Sequence, residues 1–326
     1  MKRIHPLRTV YKEIDNTTAE DKISNLREFP KIIELEITNV CNFKCLMCKT
    51  GNGSAVRKKG TMTDDIYNKM IQEIKDKNVI LKFVGHGESL LHPNFLKYAQ
   101  TAKENGILCH LTTNGSFLTE EVMQSLIDMK FDSVKFSFQG IDRESYLFMR
   151  QIDFFEKLME TIGRFYELRG DKELPYISVS TSVTDEPETK IGEFRNRCEQ
   201  ICDELEVGKT TLEWMDMALI KDEKIRKELE TMRDEQADYK IRYRCCTQVW
   251  DVLKVCWNGD VSSCCGDWDG LMILGNIQDN SLKELWTCEK QNAYRKILAE
   301  GNYDALPLCK DCYDYMGYTG NENKLV

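Results

Sequence analysis

Short apolar stretches alternate with amphipathic stretches along residues 31–216 of the chain. Six of the apolar stretches are rich in the β-branched and aromatic residues of strands, namely 32–38, 79–85, 107–113, 133–139, 176–183 and 211–215. Between them, residues 63–77 and 153–169 repeat apolar side chains at helical spacing. This alternation predicts a parallel sheet whose strands are joined by right-handed helical crossovers.

The number of these units and the segments beside them indicate how the chain is organised. Six strand–helix units are fewer than the eight of a closed barrel, so the pattern fits a partial barrel or an open doubly wound sheet. Both architectures place ligands at the carboxyl ends of the strands. We expect an N-terminal arm (1–30), this main domain (31–217), a charged helical connector (218–244) and a small cysteine-rich domain (245–326) that needs metal to fold.

Composition and charge argue against two classes of partner. The 326 residues are 41% hydrophobic and 30% charged, and no apolar run approaches the length of a membrane span. The N-terminal residues also lack the apolar segment of a signal peptide. Because the net charge is −9, a nucleic-acid backbone is an unfavourable partner. We therefore expect a cytoplasmic protein that binds neither membrane nor nucleic acid.

The cysteines change this picture, because 14 is a large count for a cytoplasmic chain. Three of them, Cys41, Cys45 and Cys48, form a C-x3-C-x2-C run directly after the first predicted strand. Eight more lie beyond residue 244, and three fall between the two groups. In a reducing compartment, clustered cysteines bind metal or do chemistry more often than they form disulfides. The distribution predicts two metal sites in two regions.

A run of three cysteines leaves two kinds of site open. A tetrahedral zinc ion needs a fourth protein ligand, which His86 or His92 could supply. Alternatively, the three thiolates bind a four-iron cluster at three of its irons and leave one iron open for a small molecule. In that case the missing fourth protein ligand has a function, because it leaves an iron to which the small molecule can bind.

The motifs that follow in order resemble those of the radical S-adenosylmethionine (SAM) enzymes. In that family the three cysteines hold a [4Fe-4S] cluster, and the open iron chelates the amino and carboxylate groups of SAM. The stretch VGHGES resembles the family's Gly-Gly-Glu motif, with His86 inserted. The resemblance implies that Gly85 and Gly87 let the backbone approach the methionyl amino group and that Glu88 accepts a hydrogen bond from it.

A further segment, SFQGIDRESYLFMR, is similar to the family's stretch after the fourth strand. By that match, Ser137 contacts the SAM ribose and Arg150 contacts the SAM carboxylate. Gln139 stands where the family commonly has aspartate. Together with His86 and Trp214, it is a candidate substrate contact by position alone.

The resemblance also implies the chemistry and the reductant. The cluster is reduced by one electron, SAM undergoes homolysis, and the 5′-deoxyadenosyl radical abstracts hydrogen from the substrate. A flavodoxin or ferredoxin is the implied reductant, and the basic run Arg57-Lys58-Lys59 is a candidate docking site for it. The simpler interpretation of that run is a solvated basic patch.

The second group of cysteines resembles the SPASM/Twitch extension behind some radical SAM cores. The spacing of four cysteines resembles that of the Twitch aminocyclitol dehydrogenases, which makes them the candidate ligands: Cys246, Cys264, Cys309 and Cys312. Their neighbours Cys245 and Cys265 stay open as alternatives. Because no cysteine follows Cys312, one auxiliary [4Fe-4S] cluster fits better than the two of a full SPASM extension. A zinc knuckle that folds the tail is the other interpretation.

Together these features predict a partial (β/α)6 barrel with a Twitch/SPASM-like domain. We expect a radical SAM oxidoreductase that acts on a small polar substrate. The specific expectation is oxidation of a secondary alcohol of a sugar or aminocyclitol, with the auxiliary cluster as electron acceptor. Maturation of a ribosomal peptide, by epimerisation, crosslinking or thioether formation, is the second interpretation. A non-catalytic iron–sulfur or zinc protein is the third.

Overall fold

The structure, a computed structural model, describes residues 3–238, 246 and 248–312. Its sheet contains six parallel strands from the first two-thirds of the chain: β1 Ile32–Leu35, β2 Ile80–Phe83, β3 Leu108–Thr113, β4 Ser133–Ser137, β5 Tyr176–Val183 and β6 Glu204–Lys209. They lie side by side in chain order, and every neighbouring pair is parallel. The predicted (β/α)6 partial barrel is confirmed.

Helices connect the strands and follow the sheet. Their bounds are α1 Arg8–Asp15, α2 Ala19–Ser24, α3 Lys49–Asn52, α4 Asp64–Ile74, α5 Phe95–Glu104, α6 Glu120–Asp128, α7 Arg143–Arg150, α8 Phe155–Arg169, α9 Glu188–Cys198, α10 Glu223–Asp238, α11 Gln248–Asp251, α12 Leu282–Thr287 and α13 Glu289–Ala299. The helices predicted at 63–77 and 153–169 correspond to α4 and α8.

The position of the sixth strand differs from the prediction. The stretch 211–215 is not a strand, and β6 instead pairs with β5 from Glu204 to Lys209. The ladder ends where the Thr210 amide bonds to Val183 O. The apolar side chains that suggested a strand, Leu212 and Met215, pack in a separate apolar cluster over the end of the barrel. Burial in that cluster, rather than strand pairing, explains the apolar pattern.

The two faces of the strands differ in character. Side chains that face the surrounding helices are apolar and fully buried, as at Leu35, Phe83, Leu111 and Phe136. On the inner face, the apolar side chains that begin the first three strands pack against the N-terminal arm: Ile32, Ile80 and Leu108 with Leu7 and Val10. Further along the strands, polar side chains line a cavity of about 700 Å³, which residues of the N-terminal arm help to enclose: Lys82, His110, Lys135, Ser178, Glu204 and Glu206. The barrel interior is therefore apolar at the start of the strands and polar beyond, and the larger hydrophobic core lies between sheet and helices.

Three more strands extend the sheet beyond β1. They are β7 Val252–Val255, β8 Asp260–Ser262 and β9 Ile273–Asn276. β7 pairs parallel with β1, and β8 and β9 follow as antiparallel neighbours. The cysteine-rich segment thus shares one continuous sheet with the main domain, which places its residues beside the first strand.

Trp286 on α12 ties this segment to the N-terminal arm, and its truncation should destabilise the protein. Its side chain is fully buried, its Nε1 donates to Arg27 O at 2.8 Å, and the Arg295 guanidinium lies 4.2 Å from the ring centroid. We expect Trp286→Ala to lower the free energy of unfolding by about 3–5 kcal/mol. Urea unfolding followed by far-UV circular dichroism measures this loss.

The matched control is Leu271→Ala, because that apolar side chain is 50% exposed. We expect it to change the free energy of unfolding by no more than about 0.5 kcal/mol. Equal effects of the two substitutions would contradict a structural role for Trp286.

Candidate active site

The three cysteines of the first group lie in a loop that begins just beyond β1, here called the cluster loop (residues 38–60). Three backbone hydrogen bonds secure this loop: Cys48 N to Cys45 O, Leu46 N to Met149 O, and Glu88 N to Val40 O, at 3.2, 2.9 and 2.9 Å. The first bond lies within the loop, and the other two attach it to the end of α7 and to the loop after β2. The cysteine positions are therefore set by two other elements of the barrel.

The thiols are partly withdrawn from water. Cys45 is buried, whereas Cys41 and Cys48 are half-buried. Burial raises the pKa of Cys41 to about 11 and also raises that of Cys48. At Cys41 and Cys48, burial therefore favours the neutral thiol, and a bound metal would offset this because the thiolate is the ligand form.

The histidines proposed as a fourth zinc ligand are engaged elsewhere. His92 contacts Met62 O through Nε2 at 2.9 Å and accepts from the Asn94 amide through Nδ1 at 3.1 Å. His86 contacts Lys254 Nζ through Nδ1 at 2.9 Å and Cys265 O through Nε2 at 3.1 Å. Within the described ranges, no three His, Cys, Asp or Glu side chains converge as a single ion requires. A cubane cluster gives each thiolate its own iron, so this donor set suits a cluster better than zinc.

The glycines of the VGHGES motif allow close backbone contacts with the cluster loop. A Cβ on Gly87 would lie 2.5 Å from Thr38 O and 2.6 Å from Val40 O. A Cβ on Gly85 would lie 2.7 Å from the Cβ of Glu36. No larger residue fits at Gly87 without moving the cluster loop, or at Gly85 without moving Glu36. The loop after β2 therefore packs directly on the loop that holds the cysteines.

Glu88 joins the ends of β2 and β3. Its carboxylate accepts from Thr113 Oγ1 and Asn114 N at 2.8 Å and from Leu90 N at 3.1 Å. Burial raises the pKa of this carboxyl group, although these hydrogen bonds and the Arg150 charge oppose the shift. Since a carboxylate has about four acceptor positions, one position is available to an incoming donor such as an amino group.

Ser137 and Arg150, which the sequence assigned to SAM, are in direct contact beside Cys45. Arg150 Nη2 donates to Ser137 O at 2.5 Å and to Ser137 Oγ at 3.0 Å, and Nη1 lies 3.5 Å from Cys45 Sγ. Among the described residues, the buried Nε of Arg150 finds no hydrogen-bond acceptor. A buried donor without a partner costs about 1–3 kcal/mol. A ligand carboxylate at this position would satisfy it, which fits the implied SAM carboxylate.

A second turn, residues 263–270, covers the cluster loop from the cysteine-rich segment; we call it the auxiliary turn. Asp269 pairs with Lys49 Nζ at 2.8 Å and accepts from the Val56 amide at 3.2 Å. The Trp268 ring stacks on His86 with centroids 3.7 Å apart. The turn that carries Cys264 therefore contacts both the cluster loop and the loop after β2.

Arg57 differs from the sequence expectation of a docking or solvated residue. Its Nη2 pairs with Glu36 Oε2 at 2.6 Å, and its Nε donates to Trp268 O at 2.8 Å. Arg57 therefore fastens the auxiliary turn, while its neighbours Lys58 and Lys59 are exposed.

Four ionisable residues form a buried ion group under the auxiliary turn: Glu36, Arg57, His86 and Lys254. Burial opposes ionisation of Glu36, but its bond to His86 and the charges of Lys254 and Arg57 outweigh burial and lower its pKa to about 2. Burial and the Lys254 charge lower the pKa of His86 to about 4, so its ring is neutral at pH 7. The group contains one carboxylate and two cations. Sequence reasoning missed Glu36 and Lys254, although charged residues within apolar strands were a usable signal.

Of the three candidate substrate contacts, two are held by the protein itself. Gln139 donates to Thr210 Oγ1 at 2.5 Å and to Ser182 O at 3.2 Å, which joins the ends of β4, β5 and β6. His86 belongs to the buried ion group. Trp214 is half-buried with its ring 6.1 Å from that of Trp268, so it keeps its place as a candidate contact.

Two of the four candidate auxiliary ligands lie in one small apolar cluster, and the other two are linked to it by backbone hydrogen bonds of their segments. Cys246 and Cys309 are both buried in it, and the Cys312 amide bonds to Cys309 O at 3.3 Å. Cys264 lies on the auxiliary turn, whose residue Ser263 bonds through its amide to Met272 O of the same cluster at 3.3 Å. The alternative Cys245 lies outside the described residues. That these four cysteines are the ligands stays a prediction.

Comparison with known families decides the class of protein. Residues 35–194 match the radical SAM superfamily, and residues 245–313 match SPASM, an iron–sulfur cluster-binding domain. The chain belongs to the radical SAM superfamily. The radical SAM domain binds a [4Fe-4S] cluster and SAM, and the SPASM domain binds auxiliary iron–sulfur clusters. In the part of the chain that the structure describes, no helix has the length and apolar character needed to cross a membrane.

Two curated relatives differ in the length of their match. A tungsten-containing aldehyde ferredoxin oxidoreductase cofactor-modifying protein of Pyrococcus furiosus is 24% identical over 86% of this chain and 87% of its own length. An S-adenosyl-L-methionine-dependent 2-deoxy-scyllo-inosamine dehydrogenase of Niallia circulans is 35% identical over 17% of this chain and 22% of its own length.

Solved structures share the fold at low identity. BtrN in complex with AdoMet and 2-DOIA has a TM-score of 0.57 at 18% identity, over 91% of this chain and 97% of that chain. Streptococcus suis SuiB bound to precursor peptide SuiA has a TM-score of 0.65 at 16% identity, over 89% of this chain and 71% of that chain. These neighbours include both a small-molecule and a peptide complex.

Iron counting tests the two predicted sets of ligands. After anaerobic reconstitution with iron and sulfide, we expect about eight irons per chain, and about four after Cys41, Cys45 and Cys48 are all changed to Ala. The matched control changes Cys109, Cys198 and Cys202, which are buried in the core of the main domain, to Ala. It should keep about eight irons, and a loss equal to that of the first variant would contradict the assignment.

Arg150→Gln tests the SAM carboxylate contact. Loss of a hydrogen bond to a charged group, about 1.5–3 kcal/mol, should weaken SAM binding roughly ten- to a hundredfold. Equilibrium dialysis with the reconstituted protein measures the dissociation constant. Arg143→Gln is the control, because Arg143 lies on the same helix but is exposed and pairs with Asp153. Equal affinities in the two variants would count against the role of Arg150.

Proposed function

We propose that this radical SAM enzyme oxidises a secondary alcohol of a small polar molecule, such as a sugar or aminocyclitol, and that its SPASM domain holds one cluster as the electron acceptor. One observation carries the proposal: the auxiliary turn, with Cys264, lies directly on the cluster loop. Asp269 and the Trp268 carbonyl make these contacts, with Lys49, Val56 and Arg57 of the cluster loop. An auxiliary cluster on that turn would be near the place where a substrate radical forms.

The residues of the barrel would hold the cofactors. Cys41, Cys45 and Cys48 would ligate the first cluster, and Arg150 and Glu88 would hold the carboxylate and amino groups of SAM. When bound, the cluster and SAM supply the 5′-deoxyadenosyl radical that removes a hydrogen atom from the substrate. The chain itself would orient the cluster and SAM, since Glu88 and Arg150 are buried, Arg150 lies beside Cys45, and Ser137 accepts from Arg150.

An apolar roof over the cluster loop supports exclusion of water from the reaction. Leu212, Met215 and Met217 follow β6 and pack with Leu46 of the cluster loop and with Leu229 of α10. The auxiliary turn covers the loop from another side. A radical intermediate needs such shielding, because water and stray donors would otherwise divert it. The enclosed position also suits a small substrate.

The proposed reaction removes two electrons and two protons in total from the alcohol. The carbinol carbon loses a hydrogen atom, and the resulting carbon radical then loses the hydroxyl proton to a base and one electron to the auxiliary cluster. The products are a ketone and a cluster reduced by one electron. The short match to an inosamine dehydrogenase and the shared fold with BtrN support this chemistry.

A flavodoxin or ferredoxin is the proposed electron donor to the first cluster. Lys58 and Lys59 are exposed at the end of the cluster loop. Their charge complements the acidic surface of such a partner and would speed its association. Arg57 is not part of this surface because it pairs with Glu36.

Deuterium transfer tests the proposed function. The reconstituted enzyme, with SAM and a chemical reductant, is offered polyols, sugars and aminocyclitols that carry deuterium on the carbinol carbons. We expect deuterated 5′-deoxyadenosine and an equal amount of a ketone three mass units lighter than the labelled alcohol, because one deuterium and one hydroxyl proton are lost. The control is the variant with Cys41, Cys45 and Cys48 changed to Ala, which should form neither product.

Two outcomes would contradict the proposal. Deuterium that appears in 5′-deoxyadenosine only from a labelled peptide would favour peptide maturation, as the shared fold with peptide-bound SuiB allows. Absence of SAM cleavage in an enzyme with a full iron content would favour a non-catalytic role.

A further inference from the structure

Lys254 is a buried lysine on the strand that joins the cysteine-rich segment to the barrel sheet. It lies on β7, in register with Glu34 of β1 and Ser262 of β8, and its side chain is 1% exposed. Buried lysines are rare unless they are paired, because removal of the ammonium group from water is costly. The groups that contact the Lys254 ammonium therefore indicate why the fold contains this lysine.

The Lys254 ammonium group contacts both the main domain and the auxiliary turn. On one side, Nζ lies 2.9 and 3.0 Å from the two ring nitrogens of His86 and 3.8 Å from Glu36 Oε2. On the other side, it donates to Cys265 O and Asp267 O, both at 3.3 Å. Two backbone carbonyl groups of the turn that carries Cys264 are thus held by one cation.

The charge of Lys254 is only partly compensated. The carboxylate of Glu36 is shared with Arg57, whose Nη2 lies 2.6 Å from it. His86 is neutral at pH 7, and burial raises the pKa of the adjacent Cys256 thiol to about 12, so that thiol is neutral as well. Within the buried ion group, the two cations therefore outnumber the single carboxylate. The nearby carboxylate of Asp267, on the auxiliary turn, is also buried and accepts hydrogen bonds from Ser262 Oγ and from the Leu271 and Met272 amides.

A buried positive charge next to an iron–sulfur cluster favours its reduced form. Reduction adds one negative charge, and the attraction to a nearby cation is strong where water is excluded. Charge and hydrogen bonds around the cluster are among the main determinants of its reduction potential. Cys265, whose carbonyl oxygen Lys254 binds, directly follows the candidate ligand Cys264.

We propose that Lys254 is a positioning and tuning residue of the auxiliary cluster: its bonds to Cys265 O and Asp267 O hold the ligand turn, and its buried charge raises the reduction potential of that cluster. This inference rests on the proposed function in one respect, namely that the cluster accepts the electron that the substrate radical loses. The higher potential makes that transfer more favourable.

The test uses the full chain with Cys41, Cys45 and Cys48 changed to Ala, so that the auxiliary cluster is the only one present. Its midpoint potential is measured by redox titration followed by electron paramagnetic resonance. We expect Lys254→Met to lower the equilibrium constant for one-electron reduction at least about tenfold, equivalent to a potential about 59 mV lower. Lys254→Arg, which keeps the charge, should restore most of the difference.

Two further variants separate the effect of charge from that of damage to the fold. Glu36→Gln removes the carboxylate and leaves both cations, so we expect the potential to rise, opposite to Lys254→Met. Lys103→Met removes another largely buried lysine, whose Nζ lies 2.5 Å from Asp132 on the far side of the sheet from β7. It should leave the potential unchanged.

The outcomes distinguish this inference from the proposed function. No iron in the cysteine-depleted background would refute the auxiliary cluster and the proposed function with it. About four irons but equal potentials in Lys254→Met and the parent would overturn the inference alone. Shifts of the same sign in Lys254→Met and Glu36→Gln would also overturn it, because loss of opposite charges must act in opposite directions.

Discussion

The parallel pairing of β7 with β1 is the contact on which the rest of the site depends. It joins the cysteine-rich segment to the barrel sheet, residue by residue from Ile32–Val252 to Leu35–Val255. Because β8 follows β7 in the same sheet, the auxiliary turn leaves the sheet level with Lys254 and folds onto the cluster loop. Without this pairing, the two groups of cysteines would belong to separately placed units.

The buried ion group is the energetic counterpart of this arrangement. Burial of charges costs more free energy than a single ion pair returns unless further hydrogen bonds are made. Here the carbonyl groups of the auxiliary turn and the ring of His86 supply those bonds. Such a group stabilises one relative placement of turn and barrel, since any other would leave Lys254 buried without its acceptors.

The residues that the family resemblance connects with SAM also hold the barrel end together. Glu88 joins the ends of β2 and β3, Arg150 joins α7 to β4 and approaches Cys45, and Gly87 allows the loop after β2 to touch the cluster loop. Contacts within the chain therefore fix the residues that would hold the cofactor. Such preorganisation lowers the cost of placing a reactive group precisely.

The sequence by itself determined the strand–helix alternation, the polar and apolar faces of the helices, and the order of the cysteine and glycine motifs, because these depend on neighbours within one segment. It misplaced the sixth strand, since Leu212 and Met215 are apolar for packing in the roof rather than for strand pairing. Only the tertiary structure decided that His86 meets Lys254 across 168 residues and that Arg57 pairs with Glu36. Such contacts depend on strand order and register, which the periodicity of single segments does not contain.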